Sequence, residues 1–223
     1  MTVEPTEARP AIPPAILAVR VVAIARGLPA ALLADVAAAL HDGGVRAFEI
    51  TLDSPDALAG ITALAASPLA GNHALLVGAG TVLTIDEAAA ALDAGARFLV
   101  MPHTDVRLVA WAAERGVPTF PGAMTPSEIV TAWSAGAAGV KVFPAGSLGP
   151  GFVREVRGPL ARIPLVPTGG ITADNAGAFI AAGAVAVGAG GWLTGSRDPA
   201  MIRERAAALV ASVARGAVTT ADA

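Results

Sequence analysis

No cysteine occurs in the 223 residues, which removes disulfides, thiolate nucleophiles and cysteine-ligated metals from consideration. Histidine is scarce as well. His41, His73 and His103 stand far apart, without the close spacings of histidine metal sites, and a carboxylate-bound metal stays open. An excess of positive charge is also missing: the formal net charge is −3, so no basic face points to nucleic acid. Long hydrophobic runs are lacking too. The longest uncharged stretches, Ala57 to Ile85 and Asn175 to Ser196, are broken by Ser67-Pro68, by Gly71-Asn72 and by repeated glycine. Neither offers the roughly 20 unbroken apolar residues of a spanning helix. Met1 to Pro10 has no basic segment followed by an apolar one, which argues against a secretion signal. These absences lead us to expect a cytoplasmic protein with no membrane or nucleic-acid partner.

Lysine is the scarcest basic residue. Of 15 lysines and arginines only Lys141 is a lysine. It lies in Gly139-Val140-Lys141-Val142-Phe143-Pro144, an apolar run with the composition of a buried strand. A guanidinium stays protonated, whereas a desolvated amine can lose its proton and attack a carbonyl. The bland reading is a snorkelling or ion-paired lysine, but buried lysines are rare unless paired.

What is abundant is a regular alternation. Short apolar runs at Val21–Arg26, Ala47–Leu52, Ala74–Val82, Phe98–Pro102, Pro118–Ala123, Gly139–Ala145, Pro164–Gly170 and Ala184–Trp192 are separated by alanine-rich helical stretches. Such runs suit strands covered on both faces. Helix starts are readable at Thr84 with Asp86-Glu87, at Thr125-Pro126-Ser127-Glu128 and at Thr172-Ala173-Asp174. Helix ends are readable at Gly43-Gly44, Gly95, Gly116, Gly136 and Gly183. Eight strand–helix units predict a (β/α)8 TIM barrel over residues 11–215, in preference to a doubly wound sheet. An extra N-terminal helix, about Ala11 to Val19, is placed to close the barrel's bottom. Residues 1–10 and 216–223 read as flexible tails.

In such a barrel the chemistry gathers at the C-terminal ends of strands. Alternation puts Glu49 and Thr51 on one face of their strand, away from Phe48 and Ile50. A carboxylate in the same barrel as a neutral amine is suited to shuttle protons; the bland reading is an ion pair with Arg26 or Arg46. Gly169-Gly170 and Gly190-Gly191 follow the seventh and eighth strands, where backbone N–H groups often bind phosphate. Thr81 offers a hydroxyl, and Arg26 a fork suited to a carboxylate or phosphate. His103 reads as a loop residue, Trp111, Trp133 and Trp192 as packing residues with the last near the phosphate loop, and Arg203-Glu204-Arg205 as a solvated helix face.

Six segments then occur together in order: Glu49-Ile-Thr51-Leu, Gly78-Ala-Gly-Thr81-Val, Pro121-Gly122, Lys141-Val-Phe143-Pro144, Pro167-Thr168-Gly169-Gly170-Ile and Val187-Gly188-Ala-Gly190. From about Val21 to Arg215 the chain resembles the 2-keto-3-deoxy-6-phosphogluconate (KDPG) and 4-hydroxy-2-oxoglutarate (KHG) aldolases. The resemblance implies a homotrimeric class I lyase without metal or other cofactor, cleaving the phosphorylated sugar acid to pyruvate and glyceraldehyde 3-phosphate. It implies Lys141 as Schiff-base lysine and Glu49 as general acid and base. Thr81 and Pro102 match positions around the pyruvyl group, Phe143 an aromatic near the imine, and Thr168, Gly169 and Gly170 the segment beside the sugar chain and phosphate. We include Arg26 and Thr51 among the substrate-binding candidates, and Gly190 and Gly191 among the phosphate-binding ones.

Two positions depart from the family pattern. Many members carry a carboxylate-binding arginine where this chain has Asp53, and Asp53-Ser54-Pro55 looks more like the 6-phosphogalactonate branch. The phosphate-site serine of many members is Gly191 here, which removes a hydroxyl but keeps the backbone N–H. The substrate readings are therefore KDPG, KHG and the phosphogalactonate epimer. A phosphosugar-binding or assembly barrel without chemistry, and a metal-dependent pyruvate aldolase, are the rivals from other classes.

Overall fold

Each expected apolar run forms a strand, and every strand pairing is parallel. The computed structural model describes residues 9–72 and 74–221, so His73 and most of the expected N-terminal tail lie outside the description. The strands are β1 (Val21–Ala25), β2 (Ala47–Thr51), β3 (Leu76–Gly80), β4 (Leu99–Val100), β5 (Thr119–Phe120), β6 (Gly122–Ala123), β7 (Val140–Val142), β8 (Leu165–Pro167) and β9 (Val187–Ala189). Helices α1 (Pro14–Val19), α2 (Leu33–Asp42), α3 (Ala57–Ala65), α4 (Pro68–Gly71), α5 (Ile85–Asp93) and α6 (Val106–Ala113) accompany the first half. The second half carries α7 (Pro126–Ser134), α8 (Ala145–Arg157), α9 (Ala176–Ala181), α10 (Gly191–Thr194) and α11 (Pro199–Ala221).

The single eight-stranded ring expected from the sequence is described as two curled parallel sheets. One runs β5-β4-β3-β2-β1-β9 and the other β6-β7-β8. The split falls inside the expected fifth strand, because Pro121 has no N–H to continue the ladder. Its carbonyl still accepts from Lys141 N at 2.9 Å, and Gly122 pairs with Lys141. At the other seam a single bridge, Thr168 with Gly188, joins the sheets.

Helix starts follow their signals in two of three cases. Thr84 with Glu87 and Thr125 with Glu128 form reciprocal caps on α5 and α7, an arrangement worth about 1 kcal/mol each. The third differs. Thr172 and Asp174 form a turn in which Thr172 N donates to Asn175 Oδ1 at 3.0 Å, and α9 begins only at Ala176. The hydroxyl and amide side chains here satisfy backbone groups of the turn itself, which competes with capping. The last helix continues to Ala221, past the boundary expected at residue 215. At the other end Arg9, expected in the N-terminal tail, donates to Ala137 O at 2.8 Å and stacks 3.2 Å from the Trp133 ring centroid.

Two apolar clusters result from strand alternation. Phe48, Ile50, Val140 and Val142 pack outward with the helices. Ala47, Val22, Val166, Phe98 and Phe120 face inward with Ile12 and Ile16. Ile16 of α1 is completely buried there, so the first helix packs against the inner cluster. Phe98 and Phe120 meet edge to face, with ring centroids 6.1 Å apart. Gly78 is required beside them: a Cβ at that position would overlap the Phe98 ring. The inner cluster fills one end of the interior, and inward-facing residues further along the same strands are left to build a site.

Candidate active site

Two residues beyond the inner cluster on β2 and β8, alternation brings Glu49 and Thr168 to the inner face. Lys141 of β7, between outward-facing Val140 and Val142, shares that face. Ile24 and Arg26 continue β1 in the same way. These five residues, with Phe143, Gly169, Gly170, Gly190 and Gly191, line one cavity of about 340 Å3. Nine of the twelve sequence candidates thus converge, although they come from five separate chain segments.

Glu49 and Lys141 are 2% and 5% exposed. Burial pushes the Glu49 carboxyl up from 4.5 to about 7, against the opposite pull of Lys141 and Arg26. Burial pushes the Lys141 ammonium down; Glu49 raises it and Arg26 lowers it further. Both shifts run toward a neutral amine beside a carboxyl that can hold or release a proton near neutrality, the pairing needed for imine chemistry. Lys141 Nζ lies 4.7 Å from the Phe143 ring centroid, so the aromatic covers the amine. The glutamate's position depends on Gly80. A Cβ there would come 2.5 Å from Glu49 Oε1 and 3.1 Å from Thr51 Cγ2. The ion-pair reading of Glu49 does not hold: Arg46 donates to the His41 and Val45 carbonyls, and Arg26 bonds Asp53.

Part of the lining is glycine backbone. Gly169 and Gly170 both have positive φ, 89° and 73°, a conformation open to glycine without strain. Gly146 N donates to Gly169 O at 2.8 Å, and Asn175 Nδ2 to Gly170 O at 2.8 Å. Leu193 N and Thr194 N both turn to Gly190 O, at 2.7 and 2.9 Å. A trans peptide carries its N–H on the edge opposite its carbonyl. The N–H groups of Gly170 and Gly191 therefore point away from those partners.

Several expected contacts are placed differently. Thr51 is buried outside the cavity lining, its hydroxyl donating to Ala25 O at 3.1 Å and sharing a hydrogen bond with Ser54 Oγ at 3.0 Å. Thr81 and Pro102 also stand outside the lining. Thr81 Oγ1 accepts from Arg26 Nη2 at 3.2 Å, and buried Pro102 backs onto Gly122, where a Cβ would strike its carbonyl. Arg26 does reach the cavity, but its Nη1 is paired with Asp53 Oδ2 at 2.5 Å. Arg205, read as a solvated residue, donates to Trp192 O at 2.7 Å and secures α10. Among the described residues no group of three His, Asp or Glu side chains is gathered in a metal-ligand arrangement.

The sequence reading passed over Ile24, Thr172 and Thr194 as lining residues, while Trp192, read as a packing residue near the phosphate loop, does line the cavity. Ile24 was within reach, since it shares a strand face with Arg26. Thr194 carried no signal, because only the turn of α10 delivers its hydroxyl to Ile24 O at 2.6 Å.

The family model described as "KDPG and KHG aldolase" matches residues 15–209. The chain belongs to the KDPG and KHG aldolase family. It is therefore an aldolase, a lyase. A relative from Rhizobium meliloti (strain 1021), named a probable 2-dehydro-3-deoxy-6-phosphogalactonate aldolase, is 37% identical, covering 86% of this chain and 90% of the relative. A solved structure described as native KDPGal superposes with a TM-score of 0.82 at 30% identity, covering 88% of this chain and 95% of that one. A KDPG aldolase from Legionella pneumophila, solved with pyruvate captured as a covalent carbinolamine, gives a TM-score of 0.78 at 25% identity, covering 89% and 98%. No helix among the described residues is long and apolar enough to cross a membrane.

Proposed function

We propose that this aldolase cleaves a 2-keto-3-deoxy-6-phospho sugar acid through a Schiff base on Lys141, with 2-keto-3-deoxy-6-phosphogluconate as the first reading. The observation that carries it is one buried lysine and one buried carboxyl lining the same cavity, together with glycine backbone at residues 169, 170, 190 and 191. The covalent pyruvate adduct of the Legionella relative supports it, since a carbinolamine needs an amine and Lys141 lines the cavity here.

Neutral Lys141 attacks C2 of the 2-oxo acid to give a carbinolamine. Protonated Glu49 delivers a proton to the departing hydroxyl, and water leaves an iminium. The iminium withdraws the electron pair of the C3–C4 bond while the Glu49 carboxylate takes the C4 hydroxyl proton. Glyceraldehyde 3-phosphate departs, leaving an enamine. Protonation at C3 and hydrolysis release pyruvate and restore the amine. Arg26 holds the substrate carboxylate, Thr168 and Phe143 flank the chain, and the N–H groups at Gly170 and Gly191 hold the phosphate. We extend the proposal to a homotrimer, to the two sheets forming one (β/α)8 barrel through the Pro121 and Thr168–Gly188 seams, and to a reaction without metal, for which full activity in chelator is the check.

Borohydride reduction with pyruvate is expected to add one reduced pyruvyl group to the peptide holding Lys141. No adduct, or full activity in Lys141→Arg, overturns the mechanism. A second reading, the phosphogalactonate epimer, is favoured by Asp53-Ser54-Pro55 and by the extent of the R. meliloti match. Relative kcat/KM on the two C4 epimers separates the readings. Cleavage of 4-hydroxy-2-oxoglutarate, measured alongside, reports how far the phosphate is needed.

A further inference from the structure

Among the described residues lining the cavity, Arg26 and Lys141 are the two basic side chains, and burial drives Lys141 toward its neutral form. An arginine side chain more than half exposed, as Arg26 is, has wide rotamer freedom unless something holds it. Arg26 is held at both ends of its fork. Nη1 donates to Asp53 Oδ2, and Nη2 donates to Thr81 Oγ1. Two of the guanidinium's five N–H groups are used, which leaves three for a ligand.

Both partners come on rigid supports. The turn carrying Asp53 is closed by Ser54 N donating to Thr51 O at 2.9 Å and by the Thr51–Ser54 hydroxyl contact at 3.0 Å. It is also tied to the chain on each side of Arg26. Thr51 Oγ1 donates to Ala25 O at 3.1 Å, and Gly27 N donates to Ser54 Oγ at 2.8 Å. Thr81 has φ 58°, which is strained for a β-branched residue. Strain of this kind persists where the surroundings enforce it, and it is concentrated at functional sites. Asp53 is 45% exposed, so its ion pair adds little to stability. Two side chains, two loop ties and one strained backbone converge on orienting a single guanidinium at the cavity mouth.

We propose that Asp53, with Thr81, is a positioning residue that holds Arg26 in the orientation that receives the carboxylate of the 2-oxo acid. One arginine fixed at both Nη atoms replaces a second cation at the price of partial charge neutralisation. Asp53 then acts in two opposing ways: its oxygen orients the fork, and its charge weakens the pull on an anion. Asp53→Ala loses both, while Asp53→Asn keeps an acceptor oxygen and loses the charge.

This inference rests on the reading of Arg26 as carboxylate receptor, and the experiment separates the two. The probe is pyruvate, with neutral pyruvamide as control, and the readout is the concentration giving half-maximal borohydride-trapped adduct by intact mass. Asp53→Ala is expected to raise the pyruvate value about 5- to 10-fold, with a smaller effect on the saturating rate. Asp53→Asn is expected to stay within about twofold of the parent or to bind more tightly. Pyruvamide should respond to neither change. Arg26→Ala should match or exceed Asp53→Ala, and the double variant should be no worse than Arg26→Ala alone. An unaffected Arg26→Ala overturns the reading of Arg26. A weakened Arg26→Ala beside an unaffected Asp53→Ala overturns the positioning role. Asp53→Asn as poor as Asp53→Ala, or equal losses for pyruvamide, does the same.

Discussion

Replacing Glu49 by glutamine isolates one buried ionisation and should change how stability depends on pH. The carboxyl is raised from 4.5 to about 7, chiefly by burial. A group that holds its proton more tightly when folded stabilises the fold below its unfolded value and loses that contribution as pH rises through the folded one. The slope is about 1.4 kcal/mol per pH unit, so the rise amounts to about 3 kcal/mol lost between about pH 4.5 and 7. Lys141 works in the opposite sense, because its pKa is lowered in the fold: its contribution returns as pH climbs from that lowered value toward 10.5. Comparing the parent with Glu49→Gln removes the lysine's own term in first order and leaves the carboxyl's. Urea denaturation at constant salt, from pH 5 to 9, measures it. The parent should lose stability relative to Glu49→Gln across pH 5 to 7, with unchanged m-values. Above pH 7 the difference should level off. Parallel profiles for the two proteins, or a parent that gains relative to the variant as pH rises, would refute the assignment of a buried, protonatable carboxyl.

Two other substitutions test the glycine reasoning. Gly80→Ala puts a methyl 2.5 Å from Glu49 Oε1, so the carboxyl must move; kcat should fall at least about tenfold, and a wild-type rate would show that its position is not critical. At Gly191 an added Cβ meets no atom within 4 Å, so Gly191→Ser adds a hydroxyl at the proposed phosphate site; KM for the phosphorylated substrate should fall about 3- to 10-fold with KHG little changed, and no difference in KM would place the phosphate elsewhere.

The strands and several of the residues that line the cavity were legible for particular reasons. Lys141 stood out because it is the one lysine in a chain of arginines, and Glu49 because a carboxylate interrupts an apolar run of period two. Capping boxes at Thr84 and Thr125 were local patterns whose partners lie three residues away. The turn at Thr172 was misread because the same residue types serve both a cap and a turn. Thr51 and Thr81 were expected at the substrate. Whether a threonine hydroxyl faces a ligand or a neighbouring strand is settled by contacts far away in sequence, here Ala25 and Arg26.

What the sequence determined by itself is the alternation of strands and helices, the face that Glu49 takes on its strand and the presence of a single lysine inside an apolar run. Those follow from periodicity and from the chemistry of single side chains, which need no partner to be read. Only the tertiary structure decided the rest. It broke the ladder at Pro121, lifted the Glu49 carboxyl toward neutrality by enclosing it, and paired Arg26 with Asp53 across two loops. Burial and long-range pairing arise only when distant strands are brought side by side.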